Sequence, residues 1–332
     1  MSSIATGTIR DRIQKIQDVI GTDAGNRGMK ALIVKEDLLL ASYIFGTLPT
    51  ASTVVVLSGF PCCVNETPPT ETDGPPGTMS LARTAVALGH NAVVVVDDCN
   101  SAVFEAALHN LALPDETKRR KIRLETFPPD FNDAEENRFQ DLAKSCDLLL
   151  ACERAGPGKD GICYTMRGID MNSRGLIAPL HRFVLERKDG VAFIAIGDGG
   201  NELGMGKVID AIRESPQIPN GNVIGCVVSA DHLVAASVSN WGGYALSAAA
   251  ALIRAEHDST TKTGDDLEKT VRKWVHKCLP TEPQEVELLR RCVEAGCRDG
   301  VSGKIEETVD GMSFETSLKC LQEIRNTALN EK

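Results

Sequence analysis

The residues best suited to chemistry are concentrated in one stretch, Gly197-Asp198-Gly199-Gly200-Asn201-Glu202-Leu203-Gly204-Met205-Gly206. Asp198, Asn201 and Glu202 stand among five glycines, directly after the apolar run 191–196. Glycines allow tight turns and let backbone approach a ligand closely. Oxygen donors at this density suit Mg²⁺ or Mn²⁺, with Asp198, Asn201 and Glu202 as the ligand set. They equally suit a general base beside an anion held by backbone N–H groups. On either reading Asp198 and Glu202 are candidate catalytic groups, and Gly199, Gly200 and Asn201 are candidate substrate contacts. A purely structural turn needs no such set of side chains. Two nucleotide motifs fail here: the dinucleotide pattern requires glycine at Glu202, and the P-loop requires glycine at Asn201 and Ser or Thr at Val208. No nucleotide cofactor is expected.

Three further loops carry candidates. Ser58-Gly59-Phe60-Pro61 opens a long Gly- and Pro-rich loop that ends in Glu71-Thr72-Asp73-Gly74 before a helix. A connection of that length suggests binding, and Gly59, Glu71 and Asp73 are its candidates. Helix capping by surface acids is the plainer alternative. A second loop contains Arg154, Arg167 and Asp170. Either arginine can clamp a carboxylate through two N–H groups, or simply pair with Glu153 or Asp170. The last candidates are His232, one residue after Asp231, and Asn240. His232 is the most plausible acid–base histidine of the six, although a satisfied structural histidine is equally compatible. There is no G-x-S-x-G nucleophile elbow.

The elements that must position these loops follow from periodicity. Ile9, Ile13, Ile16 and Ile20 mark an amphipathic helix. A helix is expected over 30–45 and buried strands over 53–57, 92–96, 121–126, 147–151, 191–196 and 222–229. Helices are expected between them, including 78–88, one capped by Asn100, 132–145 and 204–213. Six strands spaced by helices imply an α/β fold with a doubly wound, largely parallel sheet. Ligands of such sheets gather at the C-terminal strand ends, where all four loops are expected. Beyond residue 240 the pattern is helical only. Residues 1–257 are therefore expected to form the catalytic core and 258–332 a helical region packed on it, with a single domain over 1–332 as the alternative.

Composition narrows the partners. A formal net charge of −10 argues against nucleic acid or an anionic membrane surface. No apolar run reaches membrane-spanning length, and residues 1–7 lack the apolar core of a signal peptide. Asp11 and Asp18 are unlike a mitochondrial presequence. The eleven cysteines include no C-x-x-C pair, which points to a reducing, intracellular compartment. A homo-oligomer stays open.

Taken together these loops resemble the D-glutamate cyclase family. The resemblance rests on Ser58-Gly59-Phe60, residues 71–77, residues 153–156 with Gly168-Ile169-Asp170, residues 197–206 and residues 229–244. It extends to the tail at 296–303 with Val309-Asp310-Gly311. The segment 62–70 is longer than the family pattern. The resemblance implies a carbon–oxygen hydro-lyase that converts D-glutamate to 5-oxo-D-proline and water. In mammals this domain sits in a longer mitochondrial protein, so the cytoplasm and the mitochondrial matrix are both expected locations. The residues fit such chemistry. A divalent metal on Asp198, Asn201 or Glu202 could polarise the γ-carboxylate. Arg154 or Arg167 could hold the α-carboxylate, and Glu71, Asp73, Asp170 or His232 could manage protons. Two other readings are alternatives: an α/β oxidoreductase or phosphate-ligand enzyme using the glycine-rich loop, and a non-catalytic amino-acid sensor.

Overall fold

The computed structural model describes residues 4–331. Helix α1 (Gly7–Ile20) buries Ile9, Ile13, Ile16 and Ile20 on one face. The single helix expected over 30–45 is two, α2 (Met29–Leu32) and α3 (Asp37–Thr47), broken where Glu36 takes a left-handed φ of 68°. The alternating part then runs β1 (Thr53–Gly59), α4 (Pro75–Leu88), β2 (Asn91–Asp97), α5 (Ser101–His109), β3 (Ile122–Phe127), α6 (Asp133–Ser145) and β4 (Leu148–Arg154). It continues through α7 (Arg182–Leu185), β5 (Ala192–Gly197), α8 (Ile209–Glu214), α9 (Gly221–Ile224) and β6 (His232–Ala235). The long helix α10 (Ser239–Asp258) follows, then α11 (Gly264–Cys278) and α12 (Glu282–Glu294). A small hairpin of β7 (Thr308–Val309) and β8 (Met312–Ser313) leads into α13 (Phe314–Leu329).

The six main strands form one sheet in the order β3-β2-β1-β4-β5-β6, and every pairing is parallel. Both faces are covered, as a parallel sheet requires. Val54 and Val56 point into a core shared with α1, α4 and α10, whereas Val55 and Leu57 point into a second core with Phe139, Phe183 and Ile212. Chain order reverses between β1 and β4, which makes the crevice above their C-terminal ends the binding position.

Two further sequence expectations are corrected. Residues 222–229 do not form a strand. Their first part turns into α9, and only Ser229 touches the sheet region, through isolated bridges to Gly204 and Met205. The sixth strand is the later, fully apolar run Leu233-Val234-Ala235, preceded by His232. Asn100 does not cap α5; its side chain bridges Asp97 (3.0 Å) and Thr70 (2.7 Å) beneath the β1 loop. Among the described residues no helix is long and apolar enough to cross a membrane.

One buried acid ties α10 to α12. The Tyr244 hydroxyl donates to Glu285 at 2.5 Å, and burial pushes the Glu285 carboxyl up from 4.5 to about 7 despite that bond. Between those values the folded chain keeps a proton that the unfolded chain has released, so stability falls as pH rises through this window. Relative to Glu285→Gln, the native protein is expected to lose roughly 3 kcal/mol from pH 4 to pH 8, read by urea unfolding at each pH. A stability difference independent of pH would contradict this assignment.

Candidate active site

Three loops converge above the β1–β4–β5 strand ends. The β1 loop returns to the sheet at Asp73, where Gly74 takes a φ of 109° and a Cβ would meet Glu153 Cβ at 3.0 Å. Asp73 lies against the N-terminus of α10. Its carboxylate accepts N–H bonds from Ser239 and Asn240, both at 2.8 Å, as a helix N-terminus favours. Asn240 returns the brace, its Oδ1 accepting from Gly74 (3.0 Å) and Gly77 (2.8 Å). Glu153 sits next to the end of β4 with a left-handed φ of 46°. Asp198 follows β5 immediately, within the loop read from sequence as the chemical centre.

That loop is clasped by its own acid. Glu202 accepts the Gly199 N–H at 2.6 Å on one oxygen and the Gly200 N–H at 2.7 Å on the other. The β4 loop is stitched to it by Leu203 N–H to Arg154 O (2.7 Å) and Gly156 N–H to Asn201 O (2.9 Å). Gly204 closes the turn with a φ of 106°, where a Cβ would collide with Ala195 Cβ at 2.1 Å.

The result is a cluster of carboxylates out of water. Asp73, Glu153 and Asp198 each offer an oxygen within 4.8 Å of the others, and all three are buried. Asp198 lies within hydrogen-bonding reach of Asp73, yet Asp198 Oδ2 and Glu153 Oε2 have no donor among the described residues. Acceptor faces acceptor. Burial pushes all three carboxyls up, Asp73 to about 7, and the neighbouring acids add to the shift. Burial, Asp310 and Asp73 push Glu71 up in the same way. Arg27 opposes the shift at Asp198, 2.5 Å from its Oδ1. Such a cluster requires protons or a cation to neutralise it. Oxygen-only donors of this kind suit a hard divalent ion such as Mg²⁺ or Mn²⁺.

A cavity of about 210 Å³ opens beside the cluster. Glu71, Glu153, Asp198 and Asn201 lie along its acidic wall, and Arg27, Arg167 and Asp310 complete its lining. The C-terminal region supplies one side. Arg298 makes a strand-like contact with the β1 loop at Glu71 (Thr72 N–H to Arg298 O, 2.8 Å; Arg298 N–H to Thr70 O, 3.0 Å). Asp299 then gathers the N–H groups of Val301, Ser302 and Gly311, which sets Val301 and Asp310 at the cavity. A wider hollow of about 1120 Å³ lies at the other end of the sheet, beside Val191 and Ala192. Its charged groups reach solvent, with Lys159, Lys188 and Asp189 exposed and Arg187 paired with Asp231 at 3.1 Å, so the chemistry belongs to the smaller cavity.

The residues singled out from sequence divide sharply. Asp198, Glu202, Asn201, Glu71 and Arg167 all line the cavity, and Asp73 completes the acidic cluster. Both Glu202 oxygens are already engaged; the donor-less carboxylate oxygens belong to Glu153 and Asp198, and Asp73 completes the cluster with oxygens that also accept backbone N–H bonds. Asn201 contributes an unpartnered Oδ1 while its amide binds Tyr164 O at 2.8 Å. Gly199 and Gly200 serve as donors to Glu202, and Asn240 as the brace on Asp73. Arg154 is sealed away, bonded to both Asp97 oxygens, Gly59 O and Ala178 O. Gly59 receives that bond and packs on Asn100, outside the cavity. Asp170 caps the Ser173 N–H at 2.9 Å in the Arg167 loop, away from the cavity lining. His232, expected beyond a strand's C-terminal end, opens β6 at the opposite end, 3.6 Å from Asp37.

Sequence reasoning missed three site residues. Glu153 was legible as an acid closing an apolar strand. Asp310 appeared only within the resembling stretch Val309-Asp310-Gly311, without a role, and Arg27 gave no signal; both reach the site from segments far away in sequence.

A family model described as "D-glutamate cyclase-like, C-terminal" matches residues 16–325. The chain belongs to the D-glutamate cyclase-like family. It is 35% identical over 329 residues to the human protein named "D-glutamate cyclase, mitochondrial", covering 95% of this chain and 51% of that relative. The chain thus spans about half the length of the curated relative it matches.

Glu202 gives a direct test of the loop's construction. Glu202→Ala is expected to destabilise the fold by about 3 kcal/mol, since it leaves two buried N–H groups unpaired. Amide hydrogen exchange at Gly199 and Gly200 should accelerate strongly. Unchanged protection at both amides would show that the carboxylate is not what holds the loop.

Proposed function

We propose that this chain is a D-glutamate cyclase, a carbon–oxygen hydro-lyase that converts D-glutamate to 5-oxo-D-proline and water. The observation that carries the reading is the buried cluster of Asp73, Glu153 and Asp198, with donor-less oxygens on Glu153 and Asp198, beside a cavity sized for one small amino acid. Family membership supports the substrate class, and the human relative's name supports the choice of reaction.

In this reaction the substrate amine forms a C–N bond to its own γ-carboxyl carbon while a C–O bond breaks. The two protons lost from the ammonium leave with that oxygen as water. A carboxylate resists attack because it is already negative, so its charge must be balanced in the site. A divalent cation, Mg²⁺ or Mn²⁺, on Asp73, Glu153 and Asp198 would supply that balance and polarise the carbonyl. Arg167, at the cavity mouth and bonded to Val301 O at 2.8 Å, is placed to hold the α-carboxylate. Glu71 lies on the cavity wall beside the Cys62 thiol (3.3 Å) and is placed to carry a proton from the amine toward the departing oxygen. Enclosure of both substrate ends in one small cavity favours the folded conformer that cyclises.

The relative's name places that protein in mitochondria. For this chain we infer a reducing intracellular compartment, supported by eleven cysteines that are all free thiols.

Incubation with D- or L-glutamate, with EDTA or with added Mn²⁺, tests the proposal by mass detection of 5-oxoproline. Product from D-glutamate, dependent on the cation, is expected. Asp198→Asn should lower turnover at least about 100-fold while keeping the fold. No product from either enantiomer under any condition would end the cyclase reading. Product formation indifferent to EDTA would end the cation role alone.

A further inference from the structure

Among the described residues that line the cavity, Arg27 pairs its guanidinium with two carboxylates of that same lining, Asp198 and Asp310. It comes from the turn after α1, not from the sheet. That turn is moored at two points: Arg27 N–H to Asp23 Oδ1 (2.8 Å), and Asp23 N–H to Ser237 Oγ (2.8 Å) next to β6. The backbone is fixed while the guanidinium spans the cavity, with Nη1 2.5 Å from Asp198 Oδ1 and Nη2 3.1 Å from Asp310 Oδ2. Asp310 Oδ2 has no hydrogen-bond donor, so that contact is ionic without hydrogen-bond geometry. Arg154 differs: it hydrogen-bonds both oxygens of Asp97 and two backbone carbonyls, and is 1% exposed. One arginine is built in; the other is held mainly by charge and lines the cavity, with its side chain 17% exposed.

We propose that Arg27 is an exchangeable counter-ion and substrate clamp: it neutralises Asp198 and Asp310 in the empty site, gives up Asp198 when a divalent cation binds there, and then takes a carboxylate of the substrate. This rests on reading Asp73, Glu153 and Asp198 as a cation site. Like charges cannot share Asp198 comfortably in a buried place, and the planar guanidinium fork matches a carboxylate. With Arg167 at the mouth, the cavity then offers one arginine to each end of a dicarboxylic amino acid. Neutral amino acids and monocarboxylates would leave one of them unanswered.

The test uses Mn²⁺ alone and then glutarate, a dicarboxylate without the amine, which cannot cyclise. Calorimetric titration of Arg27→Gln should show Mn²⁺ bound on the order of tenfold more tightly than by the native protein, because a competing charge is gone. Glutarate binding to the Mn²⁺-loaded variant should weaken about 10- to 100-fold. Weaker Mn²⁺ binding by a variant with a native circular dichroism spectrum would overturn the proposal and make Arg27 an orienting brace on Asp198. If Arg27→Gln does not fold, Arg27→Lys keeps the charge but not the fork: Mn²⁺ affinity should stay near native while glutarate weakens, and unchanged glutarate affinity would overturn the proposal. If the native protein binds no Mn²⁺, this inference and the cation role fail together. The cyclase reading is judged separately by 5-oxoproline formation in EDTA.

Discussion

The structure depends on one electrostatic constraint: several carboxylates must sit together out of water without expelling one another. Asp73, Glu153 and Asp198 bring oxygens within 4.8 Å, and Asp310 is close enough to Glu71 to raise that carboxyl's proton affinity. Left alone, such a group protonates or comes apart. The fold counters this in two ways. Backbone N–H groups at the start of α10 hold Asp73, and Arg27 balances Asp198 and Asp310. The oxygens that remain without donors give the site its capacity to take a cation and, with it, an acidic substrate.

Everything that positions these groups follows from the sheet. A doubly wound order places the ends of β1, β4 and β5 side by side at the point where the connections diverge. Each strand then delivers one acid from the loop at its C-terminal end. The β1 loop is anchored by α10 and by Arg298, and the β5 loop by the Glu202 clasp. The segment 296–313 closes the cavity from outside the sheet. The last quarter of the chain is therefore part of the site as well as of the core.

Much of this was readable from residues alone. The parallel α/β architecture follows from runs such as Val54-Val55-Val56-Leu57, whose alternating sides enter two different cores. Asp198 and Asn201 were visible because five glycines and three polar side chains have little reason to follow a strand otherwise. Misreadings came where local pattern and tertiary role part company. Residues 222–229 contain enough valine to resemble a strand, yet Gly221 and Gly225 pack against the α8 region and turn the chain. That error carried His232 to the wrong end of the sheet. Arg154 reads like a ligand clamp and is in fact a fully buried partner of Asp97, a pairing set by strands β2 and β4 that no local spacing encodes. Arg27 and Asp310 meet at Asp198 only because the fold joins the two ends of the chain there.

The central claim is that the Asp73–Glu153–Asp198 cluster is a cation site on which carboxylate chemistry is built. Anomalous diffraction from crystals equilibrated with Mn²⁺ tests it most directly. A single strong peak is expected among the three carboxylates, roughly 2.1 Å from an oxygen of each. A structure with excess Mn²⁺ and no peak there, or with the ion bound only elsewhere, would contradict it.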